Sequence, residues 1–362
     1  MKILLPINID RWRSPIATLL RACVEHNPEI KFFSFSRPET EEDVLQGECF
    51  WSLDNVNRIS NSGILSHSFD IIHIASHTYK NLLAGTLAKL RSVGDTKFLY
   101  TINLEVNPLY NNDFIYRWFS AIVDEYVSVS QIAGKLVRQE FPNNYHGVIP
   151  NGYDPDYFSP TICAQNDLPE KIQKLHGAPY VLNVAALEPR KHPEWIVRLA
   201  RQNPDLTFVM AGWIVPGLGD SFYQEIETCQ LPNLIWLGHV NRSVIRALLR
   251  HASAFAFPSE REGLPLSVIE AMGMGVPVVA QPKSSLPELI TAPYCGCLID
   301  IDREDSLQQW SHALRSYVSM DDAQRMEFRR ILSTDTKSRF SWESIGRSYA
   351  SLYGKIMTGT TH

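Results

Sequence analysis

Short apolar runs alternate with longer amphipathic stretches along the whole chain, and one interruption at 151–178 divides the series in two. In the first series, strand-like runs at 1–6, 69–75 (FDIIHIA), 97–102 (KFLYTI), 125–129 and 146–150 are separated by helical stretches at 15–25, 81–93, 114–123 and 131–140. In the second, strands at 180–185, 206–211, 234–237, 254–257 and 276–280 alternate with helices at 193–202, 220–229 and 242–251 and one beginning near Pro265. Two further helical stretches, SLQQWSHALRSYV and SWESIGRSYASLYGKI, close the chain. Strands joined through helices pair in parallel, with helices covering both faces of the sheet. The interruption, NGYDPDYFSPTICAQNDLPEKIQKLHGA, is rich in Pro, Asp and Asn and reads as the connection between two doubly wound α/β domains. A length of 362 residues allows each domain its own core. Ligands of such sheets bind beyond the carboxyl ends of the strands, so the expected site is the cleft between the domains.

Charge and composition narrow the function. A net charge of −5 with no long basic run gives nucleic acid nothing to bind. Six cysteines are scattered, and only Cys295 and Cys297 are close. A lone C-x-C is weak evidence for a metal, and reduced thiols in a cytosolic protein are the simpler reading. No run of about 18 apolar residues and no signal-like start is seen, so a cytoplasmic protein is expected.

The segment FPSEREGLPLSVIEAMGMGVPVVA, 257–280, carries Glu262 and Glu270 among apolar residues. Pro265 is tolerated only in a first helical turn, so the helix is expected to begin there. Glu262 then lies in the strand–helix loop and Glu270 in the second turn. Both can face one cleft beside a helix N-terminus whose free N–H groups suit phosphate. The same letters allow a plainer reading, in which 267–270 form a capping box and Glu262 is a solvated loop residue. A second strand–helix junction, LNVAALEPRKHPEW, presents Arg190 and Lys191. Paired cations at a helix start can hold a diphosphate, or form a solvated basic turn.

The segment REGLPLSVIEAMGMGVPVVA resembles the signature of the retaining nucleotide-sugar glycosyltransferases of GT-B fold, glycosyltransferase family 4, group 1. Their pattern has two glutamates separated by seven residues, followed by E-A-M-A-x-G-x-P-V-V. Only Gly273 departs, standing where Ala is usual. The resemblance extends to P-R-K at 189–191 and to VIPNGYDPDYFSP, similar to I-P-N-G-V-D-x-x-x-F-x-P. It also takes in VSVSQIAGKL, NLIWLGHVNR and the terminal FSWESIGRSYASLY.

The resemblance implies two Rossmann-like domains facing across a cleft. The acceptor domain would be 1–165 plus a returning helix at 341–358, and the donor domain 178–335. It implies transfer from a nucleoside diphosphate sugar, UDP favoured over GDP, to an acceptor hydroxyl, with retention and without a metal or other cofactor. Glu262 would face the donor sugar and Glu270 would hold the ribose hydroxyls. Lys191 and Arg190 would bind phosphate, and backbone around Gly263, Leu264, Leu266 and Ser267 would meet sugar and phosphate. His239 and Val240 would read the base, Gly212 would allow close backbone approach, and Trp213 would wall the site or pack in the core.

The departures lie mostly in the first half. A Gly-Gly turn usual after the first strand is replaced by NIDRWRSP, with Arg11, Trp12 and Arg13. Asn103, followed by Glu105, stands where relatives have a sugar-binding histidine; His77 could compensate or be a surface residue. Ser284-Ser285 replace a glycine pair. Arg11 to Arg13 and the helix FIYRWFSAIV read either as a surface for an anionic or lipid-linked acceptor, with peripheral membrane contact, or as a solvated loop and a core helix. The acceptor itself (glycan, lipid-linked sugar or small molecule) is left open. The rival function is a non-catalytic relative acting as a binding or scaffold partner.

Overall fold

A computed structural model describes residues 1–5, 23–24, 26–35, 56–59, 67–75, 79–91, 95–103, 120–161 and 168–359. The expected helices at 15–25 and 114–123 fall largely outside these residues, and Arg11, Trp12, Arg13, His77 and Glu105 wholly so. The chain forms two compact units, Met1–Gly152 with Phe340–His362, and Tyr153–Arg339.

The first unit contains β1 (Lys2–Leu5), β2 (Lys31–Phe35), β3 (Val56–Ile59), β4 (Ile71–Ile74), β5 (Lys97–Ile102), β6 (Glu125–Ser128) and β7 (Tyr145–Val148). Among the described residues these form one sheet in the order β3-β2-β1-β4-β5-β6-β7, with every pair parallel. Helices α1 (Tyr79–Arg91) and α2 (Lys135–Glu140) lie within this run. The second unit contains β8 (Tyr180–Val184), β9 (Thr207–Ala211), β10 (Leu234–Trp236), β11 (Ala254–Phe257), β12 (Val278–Ala280) and β13 (Gly296–Leu298). They form a second parallel sheet, ordered β10-β9-β8-β11-β12-β13. Apart from two four-residue helices, Glu170–Gln173 and Leu286–Leu289, its helices are α3 (Pro193–Gln202), α4 (Asp220–Thr228), α5 (Arg242–His251), α6 (Leu266–Gly273), α7 (Ser306–Val318) and α8 (Asp322–Phe340). In each sheet the first strand of its unit lies inside, and the chain turns back between β1 and β4, or β8 and β11. The doubly wound α/β architecture expected from the alternation is therefore present in both units.

Strands β4 and β11 are fully buried, as parallel strands covered on both faces must be. The sequence reading omitted β2, β3, β13 and α8. Residues 153–161, read as part of the connection, pack on the second unit: Tyr153 lies against Gly273, and Tyr157 and Phe158 lie under Arg242.

The last helix, α9 (Trp342–Thr358), belongs to the first unit. Its Trp342, Ile345, Tyr349, Leu352, Tyr353 and Ile356 share a buried core with Ile3, Leu5, Phe32, Ile71 and Leu99. Gly152 makes this fit, since a Cβ there would lie 2.9 Å from the Trp342 ring and 3.2 Å from the Phe340 carbonyl. A polar chain runs through the same core. The two ring nitrogens of His73 meet the Tyr353 hydroxyl at 2.8 Å and the Thr101 hydroxyl at 2.7 Å. Thr101 in turn meets the Tyr349 hydroxyl at 3.2 Å. Hydroxyls donate or accept, so a neutral imidazole is fully satisfied.

Burial pushes His73 down to about 3. The unfolded chain therefore takes up a proton near pH 6.5 that the folded chain refuses. The contribution of His73 to stability is complete above about pH 6.5 and is lost as the pH drops towards 3, by up to about 1.4 kcal/mol per unit. Urea midpoints measured from pH 7.5 to 5 should show this slope in the wild type and lose it in His73→Gln. Equal slopes in both would refute the assignment.

Candidate functional site

The second unit places the paired cations and the first glutamate together. After β8 the chain bridges to Ile214 through Leu187, makes a single 3₁₀ turn over Pro189–Lys191 and starts α3 at Pro193. His192 joins turn and helix with a left-handed backbone, φ 49°. Arg190 and Lys191 thus precede the helix and do not stand in its first turn. Lys191 turns inward, its ammonium 5.2 Å from the centre of the Phe257 ring, and pairs with Glu262 Oε1.

Glu262 lies in the loop between β11 and α6, only 7% exposed. The Ser259 hydroxyl donates to its Oε1 at 2.5 Å, and Arg190 stands 3.5 Å from Oε2. Arg190 also pairs with Glu188 at 2.6 Å and donates to the Arg261 carbonyl at 2.7 Å. Burial lowers the Lys191 pKa, with Glu262 pulling it back up. The basic turn is therefore not free, and only Arg190 of its two cations keeps substantial contact with solvent. Its cations are held by carboxylates, and Glu262 is not a solvated loop residue.

Ser284 fixes the backbone of Glu262. The Glu262 N–H donates to the Ser284 hydroxyl at 3.0 Å, and that hydroxyl donates to the Glu262 carbonyl at 2.6 Å. Ser284 has φ 54°, so it adopts the left-handed backbone for which the expected glycine would be suited. The sequence singled out Ser284 as a departure without finding this role. Ser259 was missed altogether, because it acts through a contact that no local pattern marks.

Helix α6 begins at Leu266 with Pro265 as N-cap, one residue from the expected start. No side chain caps it, so the capping-box reading of 267–270 fails. Gly263 and Leu264 are buried, and Leu266 and Ser267 are half-buried in the first turn. Glu270 is in the second turn, 9% exposed, and its Oε1 accepts from the Arg242 guanidinium at 3.0 Å. Burial raises the Glu270 pKa, and Arg242 opposes the rise. Arg242 was not among the residues read from sequence.

The remaining candidates fall in different settings. His239 is exposed and Val240 half-buried, after Gly238 at φ 70°. Gly212 does permit a close approach, but by the chain itself: a Cβ there would lie 1.8 Å from the Ala185 carbonyl oxygen. Trp213 is 53% exposed, which excludes core packing. In the first unit, Asn103 follows β5, and its amide donates to the carbonyls of Ala75 at 2.6 Å and Thr101 at 3.1 Å. Both amide hydrogens are thereby used. Its buried Oδ1 has no partner among the described residues, so Asn103 can serve a ligand only as an acceptor. Among the described residues no group of three or more His, Cys, Asp or Glu could hold a metal ion.

Residues 164–331 match the family model described as glycosyl transferases group 1. The chain is 31% identical over 168 residues to the UDP-Gal:alpha-D-GlcNAc-diphosphoundecaprenol alpha-1,3-galactosyltransferase of Escherichia coli, covering 44% of this chain and 42% of that protein. It is 30% identical over 170 residues to the O-antigen chain mannosyltransferase B of the same species, covering 46% and 43%. The alignments thus span less than half of either relative. Anabaena HepE, solved in complex with UDP and glucose, shares the fold at a TM-score of 0.74 and 19% identity, over 98% of this chain and 100% of that one. Residues 164–331, a little under half of the chain, are thus similar to group 1 glycosyl transferases, and the chain as a whole has the GT-B fold.

Proposed function

We propose that this protein transfers a hexosyl-type sugar from a nucleoside diphosphate donor, UDP before GDP, to an acceptor hydroxyl, with retention and without a metal ion. The observation that carries the reading is the cluster at the carboxyl ends of β8 and β11 in which nearly buried Lys191 and Glu262 pair and half-buried Arg190 stands beside them. In the proposed reaction the bond from the anomeric carbon to the β-phosphate oxygen breaks. The acceptor oxygen bonds to that carbon on the same face, and its proton passes to the departing phosphate oxygen. Lys191 and Arg190 stabilise the charge growing on the phosphate, and a preorganised group of this kind is worth about 3 kcal/mol of barrier. Asn103 Oδ1 would accept from a sugar or acceptor hydroxyl.

Glu262 has Oε1 bonded by Lys191 and Ser259 and Oε2 near Arg190. A carboxylate so engaged is a weak nucleophile, which favours same-face attack over a covalent intermediate. Glu270 would hold the ribose hydroxyls, the first turn of α6 would meet phosphate and sugar, Gly212 would border the nucleotide, and His239 and Val240 would read the base. The galactosyltransferase relative's name and the UDP held by HepE support UDP. That relative's diphosphoundecaprenol-linked acceptor supports a lipid-linked acceptor here, and with it a cytoplasmic protein in peripheral contact with a membrane. No helix among the described residues is long and apolar enough to cross one.

Calorimetry with UDP and GDP tests the donor side, and release of nucleoside diphosphate from UDP-sugars with acceptor mixtures tests transfer. Turnover should survive EDTA within about twofold, since the positive charge is supplied by side chains. Binding of neither nucleotide would end the reading, and binding without any transfer would leave a non-catalytic relative.

A further inference from the structure

Arg242 is oddly placed for a cation. It opens α5, whose N-terminus already carries the positive end of the helix dipole. The cap is supplied by its neighbour, Asn241, which accepts from the Val244 N–H at 2.9 Å, so Arg242 is not needed to start the helix. Its guanidinium instead lies against two rings, 5.5 Å from the centre of Tyr157 and 5.0 Å from that of Phe158. Those rings pack edge to face and so set the plane on which the guanidinium rests. From that plate it donates to Glu270 Oε1. Arg246, one turn further along α5, covers the Tyr157 ring at 4.3 Å. Glu270 Oε2 takes no hydrogen bond among the described residues.

We propose that Arg242 is a positioning residue for nucleotide binding: seated on Tyr157 and Phe158, it holds Glu270 ionised and turned so that Oε2 is presented to a ribose diol. The proposal rests on the reading of Glu270 given above. Only an ionised carboxylate is purely an acceptor, and a protonated one would meet the ribose hydroxyls with a competing donor. Two influences act on that ionisation. Burial drives Glu270 towards the neutral form, and Arg242 is the charged side chain, among the described residues, that opposes it. Removing Arg242 leaves burial unopposed, so the carboxyl titrates closer to neutrality, and binding that needs the anion weakens as the pH falls.

The test compares wild type, Arg242→Gln and Arg242→Lys by calorimetry at pH 8.5 and 6.0, with UDP and with 2′,3′-dideoxy-UDP. The guanosine pair is used if GDP is the nucleotide bound. Relative to wild type, Arg242→Gln should lose less than about threefold in affinity at pH 8.5 and about tenfold at pH 6.0. Arg242→Lys, which keeps a cation, should recover most of the loss. With the dideoxy nucleotide the variants should match wild type at both pH values. Adding Arg242→Gln to Glu270→Gln should produce no further pH-dependent loss, a comparison that stands even where Arg242→Gln alone folds poorly. Arg242→Gln binding like wild type at both pH values would overturn the proposal. So would an equal loss at both pH values that persists with the dideoxy nucleotide, which would mean a direct contact to base or phosphate, or a structural role. Wild-type protein binding neither nucleotide would overturn the reading of Glu270 and the proposal with it. Wild-type binding that Glu270→Gln leaves intact would overturn the role of Glu270 alone.

Discussion

Lys191→Met should lower donor turnover by about a hundredfold or more and also lower folding stability by about 2–3 kcal/mol. The double effect follows from where the ammonium sits. Lys191 pairs with a Glu262 that is 7% exposed. Methionine fills much of the same volume but leaves a buried carboxylate with only Ser259 and a more distant Arg190 to answer it. Breaking one side of a buried pair costs more than the pair contributes, because the surviving charge is stranded. Adding Glu262→Gln should therefore restore most of the urea midpoint while turnover stays lost. If Lys191→Met were as stable as wild type, the ion pair would have no structural weight. If it also turned over normally, the proposed phosphate site would be wrong.

Gly273→Ala is expected to destabilise the second unit by about 1–3 kcal/mol, although alanine is the better helix former. A Cβ at Gly273 would lie 2.3 Å from the ring of Tyr153, a residue only 2% exposed. Alanine is the usual residue at this position in the pattern that 257–280 resembles, and valine stands at the position of Tyr153 in the pattern around 150–160. The two departures are therefore one exchange of volume: a ring added on one side, a methyl removed on the other. Tyr153→Val alone should leave a void, and Tyr153→Val with Gly273→Ala should recover a thermal midpoint close to wild type. Additive losses in the double variant would show that the positions do not act as a pair.

How far the sequence reached differs between strands and contacts. Central strands such as KFLYTI and AFAF announce themselves, because burial on both faces leaves mostly apolar letters. Strands β3 and β13 lie at sheet edges and are too short or too polar to stand out, and β13 opens on Gly296, whose missing Cβ would lie 1.9 Å from the Val278 carbonyl oxygen. Helix α8 was passed over because its buried stripe is only Leu332, Thr336 and Phe340 in an otherwise polar run. The glutamates and paired cations were legible because motif spacing survives in the linear order. The groups that hold them were not. Ser284 reaches Glu262 across 22 residues, and Arg242 reaches Glu270 across 28. Such pairs are made by the winding of the sheet, which brings successive strand ends to one edge.

The place of α9 also bears on how the molecule comes into being. The second unit is a continuous stretch, whereas the first needs residues from before and after it to complete its core. Translation delivers those closing residues only after the whole second unit. The portion read first by the ribosome must therefore wait, its apolar sheet face uncovered, until the portion read later has already been supplied in full.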